Sequence, residues 1–493
     1  MSLSSVLKDL EELTSNAKQT QDDLLDEILR VNANTKYLLP FLHGNPDKEL
    51  FKKNVPIVTY EDARPYIERV ADGEPSDVIS GEPITSFFLS SGTTGGKQKI
   101  FPVNNKFFEK IVFIDALRTS IISKHINCVE QGKAMSFLNT RPLSTTSSGL
   151  LVAPLMTSFI VSSYFKKYWS STRFTSPDEV ILCVDNKQSM YCHLLCGLVR
   201  REEVVSLVAT FASGVVQAIT FLESNWKELC NNIRSGYISE WITDLGCKDS
   251  VSIILGGPNP HLADLIEQEC SQKSWEGIIT RLWPNIKFIQ STLTGQMSQY
   301  IPILEFYSNK LPLISPSYSS SETLFGVNVN PLCKPQDVSY TFMPNMSYFE
   351  FIPVDEGNNG EIIDLVNVKL GCFYETLVTN GFGHYVLYWE LKAKHCNGIF
   401  KLDNEVMVEC CCVMEESLNS LYREIRSKDG SIGALEVRVV QQGTFDSLME
   451  YFISKGASTT QYKTPLSVNS PQVLAILEDR VLARFFSDKS SPL

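Results

Sequence analysis

The sequence lacks the features that identify several large classes of protein. It contains 44 lysines and arginines against 56 aspartates and glutamates, which gives a formal net charge of −12. Because nucleic acids and anionic membranes are bound by clustered basic residues, this balance argues against both as the main partner. No G-x-S-x-G segment is present, and the six histidines show no H-E-x-x-H spacing. A serine hydrolase and a zincin-type metalloprotease are therefore not expected.

Long apolar runs are also scarce. The first residues, M-S-L-S-S-V-L-K-D-L-E-E-L, carry acids where a signal peptide needs a basic and then an apolar stretch, so we expect a cytoplasmic protein. One segment, residues 204–222, is uncharged over the length of a membrane span. Serine, threonine and glutamine interrupt it, and we expect a buried helix of a large domain instead.

The 13 cysteines form no paired framework, and we expect reduced thiols. The segment Cys192-His193-Leu194-Leu195-Cys196 contains metal-ligating residue types but lacks a second ligand pair. A packed apolar helix is therefore preferred there over a metal site. The run Cys410-Cys411-Cys412 is interpreted as small apolar residues on a helix.

Short apolar segments alternate with longer helical patterns over most of the chain. Helices are expected over residues 5–33, 106–124 and 190–199, and strands at residues 84–89, 180–184, 251–255, 287–293 and 311–315. Strand, polar loop and helix in repetition are typical of an α/β sheet. Polar loops follow three of the strands, at residues 90–99, 294–297 and 318–323. Open α/β sheets bind ligands beyond the carboxyl ends of their strands, so these loops could converge on one site.

The pattern changes from about Gly383 onwards. Strands are expected at residues 384–391 and 434–440, and helices at residues 411–425, at 446–456 and at the end of the chain. A chain of 493 residues is too long for one hydrophobic core. We predict a large N-terminal α/β domain over residues 1–382 and a small C-terminal α+β domain over residues 383–493.

The loop L-S-S-G-T-T-G-G-K-Q-K-I, residues 89–100, combines hydroxyl groups, glycines and lysines. It fits neither the Walker pattern G-x-x-x-x-G-K-[ST] nor the dinucleotide pattern G-x-G-x-x-G. Its backbone N–H groups and hydroxyls could still curl around a triphosphate, with lysines offsetting the charge. Taken alone, a flexible turn explains the segment equally well.

Two further polar loops contain residue types suited to nucleotide chemistry. In Y-S-S-S-E-T, residues 318–323, the aromatic ring of Tyr318 can stack on a base and Glu322 can hold Mg²⁺, although a serine-rich turn is an equal alternative. In Q-Y-K-T-P, residues 461–465, Lys463 could supply positive charge to a transition state when a mobile domain closes. Most lysines in polar loops are simply solvated, and this is the alternative for Lys463.

Taken in order, F-L-S-S-G-T-T-G-G-K-Q-K, S-Y-S-S-S-E-T and Q-Y-K-T-P resemble the motifs of the plant acyl acid–amido synthetases. These form the auxin-responsive branch of the adenylate-forming enzymes and are distantly similar to firefly luciferase and acyl-CoA synthetases. The likeness extends over essentially the whole chain. The segments T-D-L-G-C, T-F-M-P-N-M-S-Y-F-E-F and G-T-F-D-S-L-M make the benzoate–glutamate type the nearest resemblance.

The resemblance implies a large adenylate-forming domain, a small C-terminal domain and a two-step ligase reaction. The carboxylate of a plant hormone acid or benzoate attacks the α-phosphate of Mg·ATP, and an amino acid then attacks the acyl-adenylate and releases AMP. Lys463 and Glu322 would be catalytic, with Glu322 holding Mg²⁺, and Arg118 would anchor the distal group of the acid or else be an ordinary surface charge. ATP would be bound by Ser90, Ser91, Thr93, Thr94, Tyr318, Ser319, Ser320, Ser321 and Thr323.

The chain departs from the family pattern at three places. Val378-Thr379-Asn380 runs directly into Gly381-Phe382-Gly383-His384-Tyr385-Val386, although family members have F-A-G-L-Y-R-x-R-V-G-D and the interdomain hinge between such segments. Several dozen residues are thus expected to be missing, including the aspartate that holds the ribose. Leu466 stands in place of the family's arginine, and Ser319 in place of glycine or alanine.

Two hypotheses follow from this comparison of motifs. The first is an ATP-dependent synthetase whose own activity is reduced or absent, since loss of the hinge should prevent the domain rotation between the two reaction steps. The second is a catalytically impaired or splice-variant form that only binds an acyl acid and a nucleotide. A thioester-forming or luciferase-like enzyme is a less favoured third class. The partners expected are a small acid and an amino acid, and the sequence does not indicate an oligomeric state.

Overall fold

The computed structural model describes residues 3–90, 98–127, 131–169, 173–351, 363–364, 386–391, 403–418, 434–455, 457, 462, 464–465, 468 and 470–487. These residues group into two compact units. The first contains the described residues through Phe351, together with Ile363, Asp364 and Tyr462, and the second contains the others from Val386 onwards. The predicted domain boundary between residues 382 and 383 lies outside the described residues and stays a prediction.

Helices make up most of the first unit, and several begin at a side chain that caps the free backbone N–H groups. Asp185, for example, accepts hydrogen bonds from the N–H groups of Lys187 and Gln188 at 2.9 and 3.0 Å. The helices are α1 (Leu3–Ser15), α2 (Ala17–Asn32), α3 (Leu39–Leu42), α4 (Lys48–Asn54), α5 (Tyr60–Ala71), α6 (Asn105–His125), α7 (Leu155–Ile160), α8 (Ser163–Tyr168), α9 (Asp178–Leu182), α10 (Asn186–Val199), α11 (Ala212–Ser235), α12 (Leu245–Leu255), α13 (Pro260–Cys270), α14 (Ile278–Leu282) and α15 (Ile301–Ser308). Short 3₁₀ turns lie at Ser76–Val78, Arg201–Glu203, Gly295–Tyr300 and Pro335–Asp337.

The strands of the first unit form four separate sheets. They are β1 (Ser86–Leu89), β2 (Ile100–Val103), β3 (Lys133–Ser136), β4 (Ser144–Thr145), β5 (Leu151–Pro154), β6 (Val204–Phe211), β7 (Phe288–Thr292), β8 (Leu313–Ile314), β9 (Ser317–Ser319), β10 (Leu324–Val327), β11 (Thr341–Phe342), β12 (Glu350–Phe351) and β13 (Ile363–Asp364). A parallel sheet has the order β3-β6-β7-β8, and a mixed sheet has the order β2-β1-β5-β4. The antiparallel sheets are β11-β10-β9 and β12-β13.

The parallel sheet separates the main core of the unit from a cavity. Met135, Leu207 and Ile289 are neighbours in register, and all three are fully buried in the large core that also contains α10, α11 and α14. Because side chains alternate along a strand, the next residues point to the opposite face. Ala134, Ser206 and Phe288, also paired in register, line the cavity on that face.

The second unit is a small α+β unit. It contains β14 (Val386–Glu390), α16 (Asn404–Ser417), β15 (Glu436–Val440), α17 (Thr444–Ser454), α18 (Pro471–Glu478) and β16 (Val481–Phe486). Strand β15 pairs in parallel with β14 and antiparallel with β16. Val437, Val439 and Met407 are buried between this sheet and α16, together with Cys411. The triple cysteine thus lies on a helix, as predicted, with Cys411 and Cys412 buried.

Most of the predicted elements are confirmed, and the fold class is α/β with a smaller α+β unit. Two predicted strands are wrong, because residues 180–184 lie largely in helix α9 and residues 251–255 end helix α12. In α12 the buried residues are Cys247, Val251 and Leu255, which have the spacing of one helical face. The helix predicted for residues 204–222 is in fact strand β6 followed by the first half of α11. The final strand, β16, was not predicted.

The described part of the chain contains no helix that is both long and apolar enough to cross a bilayer. The segment around Cys192 and Cys196 is a fully buried part of α10, as expected. His193 within it uses both ring nitrogens, with Nδ1 2.7 Å from Ser176 Oγ and Nε2 2.6 Å from the carbonyl oxygen of Leu138. Both ligand positions of this histidine are therefore occupied by hydrogen bonds inside the core.

Candidate active site

A cavity of about 920 Å³ lies between helix α6 and the parallel sheet of the first unit. Its walls come from α6, from β3, β6 and β7, and from the segment Thr294–Met297 that follows β7. Residues 316–321, which include β9, and Leu89 at the end of β1 complete the lining. The cavity thus extends along one face of the sheet and reaches the carboxyl ends of its strands, where open α/β sheets bind ligands.

Two of the three polar loops singled out from the sequence meet at this cavity. Thr294, Gly295 and Gln296 line it, and so do Tyr318, Ser319, Ser320 and Ser321. The structure places Leu89 on the cavity wall, so the third loop begins there. Most of that loop, including Ser91, Thr93 and Thr94, lies outside the described residues.

The base of the third loop is closed by hydrogen bonds to Ser90. The backbone N–H of Ser90 donates to the carbonyl oxygen of Lys99 at 2.9 Å, and the backbone N–H of Lys99 donates to Ser90 Oγ at 3.1 Å. The side-chain amide of Gln98 donates to the carbonyl oxygen of Ser90 at 3.2 Å. Ser90 therefore joins the two ends of the loop and fixes where it leaves the sheet.

Tyr318 presents an aromatic platform at the cavity. Its ring is stacked on Phe325, with centroids 4.8 Å apart, and on Tyr340 at 5.7 Å, both at an interplanar angle of 26°. The hydroxyl of Tyr340 lies 2.8 Å from Ser315 Oγ, which holds the Tyr340 ring in place. Tyr318 is 46% exposed, so the stacked ring keeps accessible surface.

Residues 320–323 form a tight turn after Tyr318 and Ser319. The Ser320 N–H donates to the carbonyl oxygen of Thr323 at 2.9 Å, and the Glu322 N–H donates to Ser320 Oγ at 3.2 Å. Thr323 Oγ1 lies 2.6 Å from Ser347 Oγ. Glu322 and Thr323 adjoin the lining without belonging to it, and the exposed Glu322 carboxylate has no ion-pair partner among the described residues.

Arg118 lies on α6 and lines the cavity as part of a charged cluster with Asp115 and Arg173. Its Nε and Nη2 donate to Asp115 Oδ1 at 3.0 and 2.7 Å. From the other side, Arg173 donates through Nη1 to Asp115 Oδ2 at 2.6 Å and through Nη2 to Thr119 Oγ1 at 2.9 Å. Both guanidinium groups lie against the ring of Trp169, at 6.0 and 5.6 Å from its centroid.

The cluster carries a net charge of +1, because one carboxylate lies between two guanidinium groups. Burial alone would raise the pKa of Asp115, but the charges of Arg118 and Arg173 outweigh burial and hold that pKa below its usual range. Asp115 is therefore ionised at neutral pH and orients both arginines. Sequence reasoning identified Arg118 and missed its two partners. Asp115 could have been found from its position three residues earlier on the same helix.

The remaining wall of the cavity is largely apolar. Ile111 and Ile114 from α6, Leu138, Met156 and Phe174 lie there with Trp169. The polar exceptions on the sheet include Ser206 and Gln290. An apolar slot with a cationic cluster and a separate aromatic platform can bind a small organic anion and a planar base in one cavity. Lys463, the catalytic lysine suggested by the sequence, lies outside the described residues.

Family models match both parts of the chain. The GH3 family N-terminal domain matches residues 6–313, and the GH3 family C-terminal domain matches residues 363–472. The 4-substituted benzoates-glutamate ligase GH3.12 of Arabidopsis thaliana is 50% identical over 97% of this chain and 98% of the relative. The indole-3-acetic acid-amido synthetase GH3.17 of the same plant is 42% identical over 98% of this chain and 96% of the relative.

The alignment with the benzoate ligase is longer than this chain. It extends over 565 positions, whereas 97% of the 493 residues of this chain is about 478 residues, so about 87 positions lie opposite gaps in this chain. The loss of several dozen residues after Asn380, which the sequence motifs suggest, stays a prediction.

A solved structure shows the same fold. The AtGH3.15 acyl acid amido synthetase in complex with 2,4-DB matches with a TM-score of 0.90 and 42% identity, covering 100% of this chain and 98% of that chain. The curated relatives and the solved structure cover nearly the full length of the chain, and the two family models cover most of it. The chain therefore belongs to the GH3 family.

Proposed function

We propose that this chain is an ATP-dependent acyl acid–amido synthetase that activates a small carboxylic acid as its adenylate and joins it to an amino acid. The observation that carries the proposal is the single cavity in which the Arg118 cluster, the Tyr318 platform and the loop Thr294–Met297 meet. The curated relatives are amide-forming ligases, which favours a synthetase over a protein that only binds the acid and nucleotide.

The chemistry requires two displacements. In the first, a carboxylate oxygen of the acid bonds to the α-phosphorus of ATP, and pyrophosphate leaves. In the second, the amine of the amino acid bonds to the acyl carbon, the C–O bond to AMP breaks, and the amine loses a proton. Both steps need the reacting groups held together and water kept out, which an apolar cavity at the strand ends provides.

We assign the nucleotide to the Tyr318 side of the cavity. Adenine would stack on Tyr318, and Ser319, Ser320, Ser321 and Thr323 would lie beside the nucleotide. Ser90, Ser91, Thr93 and Thr94 would form the phosphate loop, with Ser90 fixing its base. Lys463 would offset negative charge during the reaction.

Magnesium fits Glu322, since this exposed carboxylate lacks an ion-pair partner among the described residues and offers the oxygen donors that Mg²⁺ prefers. The bound ion would neutralise charge at the α-phosphate.

We assign the acid to the α6 side of the cavity. The apolar side chains of Ile111, Leu138 and Phe174 would pack on a small ring, and Arg118 would hold a polar group at the distal end of the acid. A benzoate or a plant hormone acid of the auxin, jasmonate or salicylate kind has these features. We also propose a cytoplasmic site for the reaction, because the described cysteines are free thiols.

Acid-dependent exchange of labelled pyrophosphate into ATP tests this proposal. Purified protein with Mg·ATP should catalyse exchange with at least one acid in a panel of substituted benzoates and hormone acids. Arg118→Leu removes the guanidinium and should raise the acid concentration for half-maximal exchange about tenfold. This is equivalent to the loss of one charge-assisted hydrogen bond of about 1.4 kcal/mol. Acid binding without any exchange would contradict a synthetase, and an unchanged response in Arg118→Leu would contradict the assigned acid site.

A further inference from the structure

Two cysteines and one aspartate lie together at the junction of α9, α10 and α12, away from the cavity. The Sγ atoms of Cys183 and Cys247 and a carboxylate oxygen of Asp244 all lie within 4.8 Å of one another. Among the described residues this is the one group of at least three potential metal ligands at such distances. Cys183 and Cys247 are 2% and 0% exposed, and Asp244 is half-buried.

We propose that Cys183, Cys247 and Asp244 form a binding site for a thiophilic divalent cation of the zinc class. Zinc takes thiolate and carboxylate ligands in a tetrahedral arrangement, with Zn–S distances of about 2.3 Å. Such distances place the ligand atoms about 3.8 Å apart. The observed separations need to contract by no more than about 1 Å, which side-chain rotation can supply.

Hydrogen bonds around the cluster hold its ligands in place. The side-chain oxygen of Gln188 accepts the N–H groups of Thr243 and Asp244 at 2.7 and 2.9 Å. The side-chain amide of Gln188 donates to Asp185 Oδ2 at 3.1 Å, two residues after Cys183. Gln188 thus ties together the two segments that supply the ligands, as outer residues of a metal site do.

The two thiols and the carboxylate offer three ligand atoms of the kinds that zinc takes. Binding would release both thiol protons to solvent and form two metal–sulfur bonds. Asp244 uses Oδ1 to cap α12 through the N–H of Cys247 at 2.8 Å, and its second oxygen has no hydrogen-bond partner within the described residues.

The site also connects to the cavity wall. The backbone N–H of Thr140 donates to the carbonyl oxygen of Ile181 at 3.1 Å, and Thr140 Oγ1 donates to that of Leu182 at 2.6 Å. Thr140 follows Leu138, which lines the cavity. A cation that fixes Cys183 would therefore brace this part of the wall, whether or not the proposed ligase reaction takes place.

Titration of the chelator-treated protein with Zn²⁺ and with Co²⁺ tests the site. We expect one cation per chain, a thiolate-to-cobalt charge-transfer band, and a higher melting temperature with Zn²⁺. Cys183→Ser and Cys247→Ser should each weaken binding about tenfold or more and reduce the band at saturating cobalt, because one thiolate remains in each variant. Cys270→Ser, which replaces another buried cysteine on α13, should behave like the unmodified protein.

Asp244→Asn provides a variant that keeps the fold, since asparagine caps helices as well as aspartate does. It should weaken cation binding, whereas the exposed Asp249→Asn on the same helix should not. The proposal would be overturned if the protein took up no cation. It would also be overturned if Cys183→Ser and Cys247→Ser bound the cation as tightly as the wild-type protein does. A disulfide between Cys183 and Cys247 in freshly purified, metal-free protein would overturn it too and would identify a redox pair instead.

Discussion

Replacing Asp115 by asparagine separates the role of its charge from that of its size. Asp115 accepts three hydrogen bonds from two guanidinium groups and is 7% exposed. Asparagine has nearly the same volume but no charge, and its amide N–H groups would face those of the arginines. The substitution therefore leaves two cations beside each other without a counter-ion.

The cost can be bounded from the exposure of the partners. Breaking a fully buried ion pair costs about 3–5 kcal/mol. Arg118 and Arg173 are 22% and 39% exposed, so water in the cavity can hydrate them partly. We expect Asp115→Asn to lower the free energy of unfolding by about 2 kcal/mol, which corresponds to a fall in melting temperature of about 2–3 °C for a unit of this size. Because Arg118 also loses its fixed orientation, the acid concentration for half-maximal exchange should rise about tenfold.

The loss of stability should depend on pH in one direction. The pKa of Asp115 is lowered in the folded protein, so its ion pairs contribute stability above the unfolded pKa of about 4 and lose it as pH falls through the lower folded pKa. The difference between the wild-type protein and Asp115→Asn should be full at pH 7 and shrink below about pH 4. Urea denaturation from pH 3 to 7 measures it, with the exposed Asp249→Asn as the control. Equal stability at pH 7, or a difference that grows in acid, would refute this reasoning.

Three further substitutions test other parts of the structure. Burial lowers the pKa of His193 to about 4, so the unfolded chain takes up a proton first as the pH falls. The wild-type free energy of unfolding should therefore fall by up to about 3 kcal/mol between pH 6.5 and 4. In His193→Gln, denaturation curves should change little across that window, and an equally steep fall would disprove that His193 causes the loss. Tyr318→Ala should weaken ATP binding, measured by calorimetry, about tenfold or more, because base stacking contributes about 1–3 kcal/mol. Tyr237 is 78% exposed and lies outside the cavity, so Tyr237→Ala should not change ATP binding. Equal effects of the two substitutions would count against adenine stacking on Tyr318. In the folded protein the indole N–H of Trp283 donates to the Gly197 carbonyl oxygen at 2.9 Å. Trp283→Phe should lower the free energy of unfolding by about 2 kcal/mol in urea denaturation, because it leaves a space in the core and removes this hydrogen bond. A change below about 0.5 kcal/mol would contradict this.

The sequence predicted the parts of the fold that local patterns determine. Helix α6 and strands β1 and β7 follow from apolar spacing and from the polar loops beside them. Residues 180–184 and 251–255 were assigned as strands because a short apolar run fits either element. For the second segment, Asp244 before the helix and Gly256 after it, with a φ of 64°, were available as helix boundary signals.

The candidate site was predicted only where its residues lie in recognisable motifs. Tyr318 and Arg118 stand in such motifs, and both line the cavity. Arg173 and Trp169 lie more than fifty residues from Arg118, in segments without a distinctive pattern, and reach it only through packing against α6. Of the three strands that border the cavity, only β7 was predicted, because β3 has no distinctive pattern and β6 was assigned to a buried helix. Which face of the sheet borders a cavity depends on the helices that cover it.

Direct detection of the acyl-adenylate tests the central claim most closely. The protein is mixed with Mg·ATP and an acid that supports exchange, without amino acid, and the quenched mixture is analysed by mass spectrometry. We predict a species of the mass of the acid plus AMP less water, formed together with pyrophosphate and reduced in Tyr318→Ala and Arg118→Leu. Folded protein that binds the acid and ATP yet forms no such species, or that releases only ADP, would contradict the account.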